Sequence, residues 1–96
     1  MKLLMILVDA DDAHAVEAVL EGAGVPGYSE LPTILGKGET GKKLGTRAFP
    51  GSSTMLLAGV PAERAPLVIA GLRDLESHLG PTEGFKVFSI DALEVL

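Results

Sequence analysis

The stretch KLLMILV, residues Lys2–Val8, is an almost unbroken run of large apolar side chains. A second stretch, TMLLAGV at Thr54–Val60, has the same character. Continuous apolar runs of this length are typical of strands that are buried on both faces, whereas a half-exposed strand alternates apolar with polar residues. The two stretches therefore predict the central strands of a sheet.

A helix and an edge strand are predicted between these two stretches. Asp9 or Asp11 can cap the helix, which ends in the glycine- and proline-containing sequence GAGVPG. The strand covers Tyr28–Leu35, and Pro32 assigns it to an edge because proline cannot donate a ladder hydrogen bond. The apolar face of the helix, at helical spacing, consists of Val16, Val19, Leu20 and Ala23.

A second helix and a last strand follow Thr54–Val60. The helix is expected to start at about 61–65, since Pro61 suits a first helical position, and to stop at Gly80. Its apolar stripe consists of Val68, Ile69, Leu72, Leu75 and Leu79. The sequence FKVFSI predicts the last strand, and a short tail, DALEVL, closes the chain.

The predicted order is β-α-β-β-α-β in one domain that spans residues 1–96. With right-handed crossovers, this order gives an α+β fold, the ferredoxin-like sandwich, in which two helices cover one face of a four-stranded antiparallel sheet. The two apolar stretches would leave large apolar side chains on the uncovered face. We expect other copies of the chain to bury that face, most simply in a closed ring; the alternative is that short strands tolerate exposed apolar residues.

Composition narrows the class of protein. The chain has no cysteine, which excludes disulfides and thiolate chemistry, and its net charge of −5 disfavours binding to nucleic acid. The N-terminal apolar run is too short to span a bilayer and lacks a signal-peptide cleavage site, so we expect a cytoplasmic protein that is not itself a membrane protein.

Residues 36–51 form a glycine-rich basic segment on an acidic chain. Lys37, Lys42, Lys43 and Arg47 are opposed there only by Glu39, which gives the segment a charge of +3. A hairpin needs only about two to five connecting residues, and longer loops are often functional. The segment therefore favours a long mobile loop that meets an anion or an acidic partner surface; the alternative is a flexible loop whose lysines only keep it soluble.

The sequence GKGETGKK, residues 36–43, matches the patterns of a P-loop and of a dinucleotide-binding turn. Both sites need a helix directly after the glycines, because its N-terminus binds the phosphates. The sequence that follows, LGTRAFPGSS, cannot sustain a helix. Both interpretations are therefore rejected.

Other candidate residues give weaker indications. Phe49, beside Pro50 at the end of the basic segment, is either a partner anchor or a staple that holds the base of the loop. His14 and His78 lie on different predicted helices, and surface solvation is the simpler interpretation of both. The sequence contains no recognisable serine-base or acid-base set of side chains, so we do not expect an enzyme. We do not expect a metal site either.

Three segments carry a family resemblance: LEGAGVPGYS after the first helix, GKGETG at the base of the loop and GFKVFSIDALEVL at the last strand. In this order they resemble the PII signalling superfamily, whose members have a Gly-Val turn, a G-x-G at the base of a long T-loop and a last strand of the G-K-I-F-V type. The resemblance covers nearly the whole chain. It implies a homotrimer that binds nucleotides in clefts between subunits.

The resemblance also implies roles for particular residues. Gly36 and Gly38 would line the phosphates at the base of the loop, Gly80 to Gly84 would form the B-loop, and Lys86 would contact phosphates. The loop residues Lys37, Lys42, Lys43, Arg47 and Phe49 would then bind a partner protein.

The sequence departs from the PII pattern at several of these positions. Glu39-Thr40 stands where PII proteins usually have Arg-Gln, and GPTEGFK replaces the usual B-loop. The arginines that follow the last strand in PII proteins have no counterpart in these residues, and the loop has no tyrosine for uridylylation. The chain is therefore similar to divergent PII-like proteins rather than to an orthodox nitrogen regulator.

Two functions follow from this comparison. The first is a non-enzymatic, trimeric PII-like regulator whose effector is a small anion such as ATP, ADP or AMP and whose partner is a protein such as a membrane transporter or an enzyme. The second is a trimeric ferredoxin-like protein of the CutA type that binds divalent metal ions. The first requires nucleotide binding and the second tight binding of copper or zinc.

Overall fold

The structure is a computed structural model that describes residues 1–38, 41–43, 53–79 and 85–96. Within these residues, six strands and two α-helices follow one another along the chain. They are β1 (Lys2–Asp9), α1 (Ala13–Gly22), β2 (Ser29–Ile34), β3 (Gly36–Gly38), β4 (Gly41–Lys43), β5 (Ser53–Val60), α2 (Ala65–Leu79) and β6 (Lys86–Asp91).

Four of the strands form one antiparallel sheet in the order β2-β5-β1-β6. The two continuous apolar stretches are thus the central pair, and Leu4 of β1 lies opposite Ala58 of β5. Strand β2 is at an edge, as Pro32 predicts. The predicted ferredoxin-like α+β fold is confirmed. A short antiparallel ladder between β3 and β4 adds regular backbone to a segment that the sequence predicts only as a loop.

The core lies between the two helices and one face of this sheet. Alternate residues of the central strands point into it and are almost fully buried, among them Ile6 and Leu56. Each helix contributes the centre of its predicted apolar stripe. These helical core residues are Val16, Leu20, Val68 and Leu72.

The start of α1 differs from the sequence prediction. Residues Ala10–Asp12 form a 3-10 turn, so the α-helix begins only at Ala13 and Asp12 occupies its N-cap position. Neither Asp9 nor Asp11 is therefore the N-cap of the α-helix. The 3-10 turn absorbs the change of direction from strand to helix, which residue preferences alone do not reveal.

A Schellman motif ends α1. The backbone N–H of Gly24 donates to the carbonyl of Glu21 at 3.1 Å, and that of Val25 donates to the carbonyl of Leu20 at 3.0 Å. Gly24 has a φ of +74°, and Val25 packs into the core. The guanidinium of Arg64, just before α2, donates to the carbonyl of Ala23 at 3.1 Å, so the end of α1 is joined to the start of α2.

At the end of the sheet beside this motif, two further interactions join β1 to β6. Lys2 and Asp91 are directly opposite on β1 and β6 and form an ion pair, which lowers the pKa of the Asp91 carboxyl. Beyond β6, the backbone N–H of Ala92 donates to the carbonyl of Met1 at 3.0 Å. The first strand and the last strand are thus tied together where the chain begins.

Strand β2 contains a β-bulge at Pro32–Thr33. Leu31 lies opposite Met55 and Ile34 lies opposite Ser53, so β2 uses three steps where β5 uses two. Thr33 has a φ of +59°, which is rare for a β-branched residue. The bulge changes the alternation of β2 directly before the β3–β4 ladder.

Gly24→Ala should lower the free energy of unfolding by about 1–2 kcal/mol, because the Cβ of an alanine disfavours the left-handed conformation by about this amount. Its Cβ would also stand 2.7 Å from Nη1 of Arg64. Chemical denaturation measures the change. The matched control is Gly22→Ala, whose Cβ meets no atom within 4 Å and which should not lower stability. Equal effects of the two substitutions would contradict the Schellman assignment.

Candidate functional site

The face of the sheet opposite the helices, here called the open face, is lined by apolar side chains. Because the side chains of a strand alternate, the ladder registers assign each residue to one face. The apolar residues of the open face are Leu3, Met5 and Leu7 of β1, Met55 and Leu57 of β5, Leu31 and Ile34 of β2, and Phe88 and Ile90 of β6. Within the described chain, no helix covers this face.

Exposure within the open face is largest on the two edge strands. Leu31 is 40% exposed, Ile90 43% and Phe88 51%. Exposed apolar side chains that adjoin one another on an uncovered sheet face are typical of an interaction surface. The sequence-based expectation of an apolar uncovered face thus has a structural counterpart.

Lys86 is the first residue of β6 and lies opposite Leu7, which assigns it to the open face. Its side chain is exposed. Phe85, directly before it, is buried in the core and fixes the start of the strand. The ammonium of Lys86 can therefore meet an anion at this edge of the sheet.

The predicted loop-base residues lie at the other edge. Gly36 and Gly38 begin and end β3, which follows β2, and Lys37 lies between them. Three strand spacings separate β2 from β6, or about 14 Å, so one chain does not bring these glycines beside Lys86. Both groups nevertheless lie at the same end of the sheet, because Leu31, Met55, Leu7 and Lys86 are opposite one another across the four strands.

The remaining predicted residues divide into two groups. Lys42 and Lys43 belong to β4, where the backbone ladder pairs Lys42 with Lys37 and Lys43 with Gly36. The others, namely Glu39, Thr40, Arg47, Phe49, Gly80 and Gly84, lie outside the described residues. Their proposed roles stay predictions.

A cluster of titratable side chains that sequence reasoning missed joins α1 to β2. Nδ1 of His14 lies 2.8 Å from Oε2 of Glu17 and donates to this oxygen in the tautomer that carries the hydrogen on Nδ1, and the Tyr28 hydroxyl donates to Glu21 at 3.3 Å. A hydrogen bond with the Glu17 carboxyl, together with a partial loss of hydration and the charge of Glu17, raises the pKa of Glu30. The pairing depends on β2 lying beside α1, so no local sequence pattern marks it.

His78 bonds to its own helix. Its Nδ1 lies 2.7 Å from the backbone carbonyl of Asp74. Among the described residues, no three histidine, aspartate or glutamate side chains are arranged to hold a metal ion.

A groove of about 280 Å³ lies on the helix side of the sheet, between α2 and β6. Its lining mixes apolar and charged side chains: Ile69, Leu72, Arg73, Glu76, Phe85, Val87 and Ser89. Its volume is at the lower limit of ligand sites, which are usually about 300–1,000 Å³. It is separated by the sheet from the open face and from Lys86.

The shifted pKa of Glu30 predicts a pH effect. Because the folded state holds the proton of Glu30 more tightly than the unfolded state, the free energy of unfolding should decrease as pH rises from the ordinary carboxyl pKa through the raised one. Glu17→Gln should move the pKa of Glu30 back toward its ordinary value and weaken this decrease. NMR titration of the Glu30 carboxyl measures the shift.

Glu21→Gln is the matched control for this titration. It removes the same charge one turn further along α1, from a carboxylate that bonds to Tyr28. It should leave the pKa of Glu30 close to that of the unmodified protein. Equal shifts in both variants would assign the effect to net charge and contradict the Glu17–Glu30 pair.

Comparison with known proteins agrees with this architecture. The family model described as "Nitrogen regulatory protein P-II" matches residues 1–96. No curated protein sequence matches the chain. Among the described residues, no helix has both the length and the apolar character of a membrane span.

Solved structures of CPII, a nitrogen regulatory PII-like protein from Thiomonas intermedia K12, share the fold. The form bound to ADP and bicarbonate has a TM-score of 0.73 at 25% identity, over 93% of this chain and 84% of that chain. The form bound to ADP, AMP and bicarbonate gives 0.73 at 24% identity over the same shares. The apo form gives 0.70 at 22% identity, over 93% of this chain and 85% of that one.

Proposed function

Because this chain belongs to the nitrogen regulatory P-II family, we propose that it is a trimeric regulator rather than an enzyme and that it acts in the cytoplasm. In this proposal a small anionic effector binds in clefts between subunits. The effector changes the conformation of residues 36–51, which dock on a partner protein.

The observation that carries the proposal is the distribution of the candidate binding groups. Lys86 lies on β6 and Gly36 follows β2, so the two groups are at the same end of the sheet but at opposite edges, and the edge strands themselves are about 14 Å apart. In the proposed assembly the β6 edge of one copy adjoins the β2 edge of the next and brings the two groups to one ligand. A closed ring of identical subunits provides this contact at every interface.

The open face supports the same arrangement. Its apolar side chains run across all four strands, and burying them against neighbouring subunits removes this surface from water. A ring in which the sheets face inward satisfies that requirement and leaves the helices outside. The same assembly would direct the start of each loop toward a cleft.

The proposed effector class is an adenine nucleotide. CPII from Thiomonas intermedia K12, which shares the fold, is bound to ADP and bicarbonate in one structure and to ADP, AMP and bicarbonate in another. An exposed ammonium such as that of Lys86 is a suitable partner for a phosphate. A monophosphate or diphosphate is favoured over a triphosphate, because Glu39 adds negative charge at the base of the loop.

The proposed partner surface is the basic loop. Residues 36–51 carry a charge of +3 on a chain whose net charge is −5, so an acidic partner surface is attracted to the loop and repelled by the body. In this proposal Lys37, Lys42, Lys43 and Arg47 supply the charge and Phe49 supplies an apolar contact. A membrane transporter or an enzyme is a suitable partner class.

Lys86→Ala should weaken binding of ADP by about 1–3 kcal/mol, the usual value of a hydrogen bond to a charged group. Isothermal titration calorimetry with ADP, AMP and ATP measures the loss. Lys2→Ala is the matched control: it removes the same charge at the other end of the sheet, where Lys2 pairs with Asp91. If the two variants bound ADP as tightly as the unmodified protein, Lys86 would not belong to the site.

Ile90→Glu should lower the association constant of the subunits by at least about a hundredfold, because it buries an unpaired carboxylate in the ring. Sedimentation equilibrium measures the change. Leu67→Glu is the control, since Leu67 is 60% exposed on α2, away from the open face. A stable monomer of the unmodified protein would contradict the proposed assembly.

A further inference from the structure

The β-bulge of β2 determines on which face of the sheet the strand ends. Before the bulge, Leu31 lies opposite Met55 on the open face. After it, Ile34 lies opposite Ser53, two residues away from Met55 on β5, and so returns to the same face. Without the extra residue, Thr33 would take the place opposite Ser53 and Ile34 would move to the other face.

The bulged register is maintained against a local conformational cost. Thr33 adopts a φ of +59°, although its branched Cβ disfavours this left-handed region. A G1-type bulge usually has glycine at such a position. An alternative register, in which the strand continues without the bulge, relieves that cost.

The bulge also connects two surfaces. It extends the apolar open face from Leu31 to Ile34, at the edge where β2 ends, and Gly36 begins the β3–β4 ladder two residues later. Because a bulged strand bends, loss of the bulge would change the direction in which the backbone enters this ladder.

We propose that the Pro32–Thr33 bulge is a register switch that couples assembly through the open face to the direction in which the β3–β4 ladder leaves the sheet. This inference rests on the proposed assembly. A neighbouring copy that covers the open face buries Ile34 only in the bulged register, so assembly stabilises the bulge. By the same linkage, an effector or partner that favours one direction of the ladder changes the strength of assembly.

Disulfide crosslinking can measure the register directly, because the chain has no cysteine of its own. Directly opposite residues of antiparallel strands have Cα atoms about 4.5–5.5 Å apart, which suits a disulfide. The pair Ile34→Cys/Ser53→Cys reports the bulged register, and Thr33→Cys/Ser53→Cys reports the unbulged one. Leu31→Cys/Met55→Cys is the matched control, since its pairing is the same in both registers.

Each pair is oxidised under mild conditions in the assembled protein and in the Ile90→Glu background, with sedimentation of the same samples. In the assembled protein, the ratio of the Ile34–Ser53 crosslink to the Thr33–Ser53 crosslink should be at least about tenfold higher than in the dissociated protein. The control pair should crosslink equally in both. Adding Thr33→Gly to the Ile34→Cys/Ser53→Cys pair should preserve its crosslink after dissociation, because glycine removes the cost of the bulge.

The outcomes distinguish this inference from the proposed function. Assembly with an unchanged crosslink ratio would overturn the register switch and leave the ring intact. A protein that sediments as a monomer at every concentration would overturn the ring, and the coupling with it. If the Ile34–Ser53 crosslink is lost on dissociation to the same extent with Thr33→Gly as without it, the role of Thr33 is refuted.

Discussion

Two helices can cover only one face of a four-stranded sheet, and this limit governs the rest of the molecule. The central strands β1 and β5 carry apolar side chains on both faces, so packing against α1 and α2 buries only alternate residues of each. The other half of the apolar surface is not covered by either helix. The proposed assembly follows from that unequal coverage.

The sequence predicts the central strands, the edge position of β2 and the apolar stripes of the helices, because each depends on local spacing or on a single proline. It does not predict the β-bulge at Thr33, because a bulge is a relation between two strands and Thr33 has no preference for it. The sequence does not predict the Glu17–Glu30 pair for a similar reason, since its partners meet only when β2 lies beside α1. The β3–β4 ladder was missed because glycine and lysine indicate a loop.

In the candidate site, too, the sequence identifies single residues but not how they are arranged in space. Glycine-rich patterns and an isolated lysine name the groups that could hold a phosphate, but they do not say whether those groups meet. The sheet order answers that question: Lys86 and Gly36 are at the same end but at opposite edges. The single chain does not bring these groups together, and the proposed assembly would.

The backbone hydrogen bond between Ala92 and Met1 has a practical consequence. It fixes both the first residue and the end of β6 at the end of the sheet where the Schellman motif lies. The eight residues of β1 span about 23 Å between this end of the sheet and the other. A fluorophore or affinity tag attached at Met1 is therefore at the end of the sheet remote from Lys86 and from the start of the β3–β4 ladder.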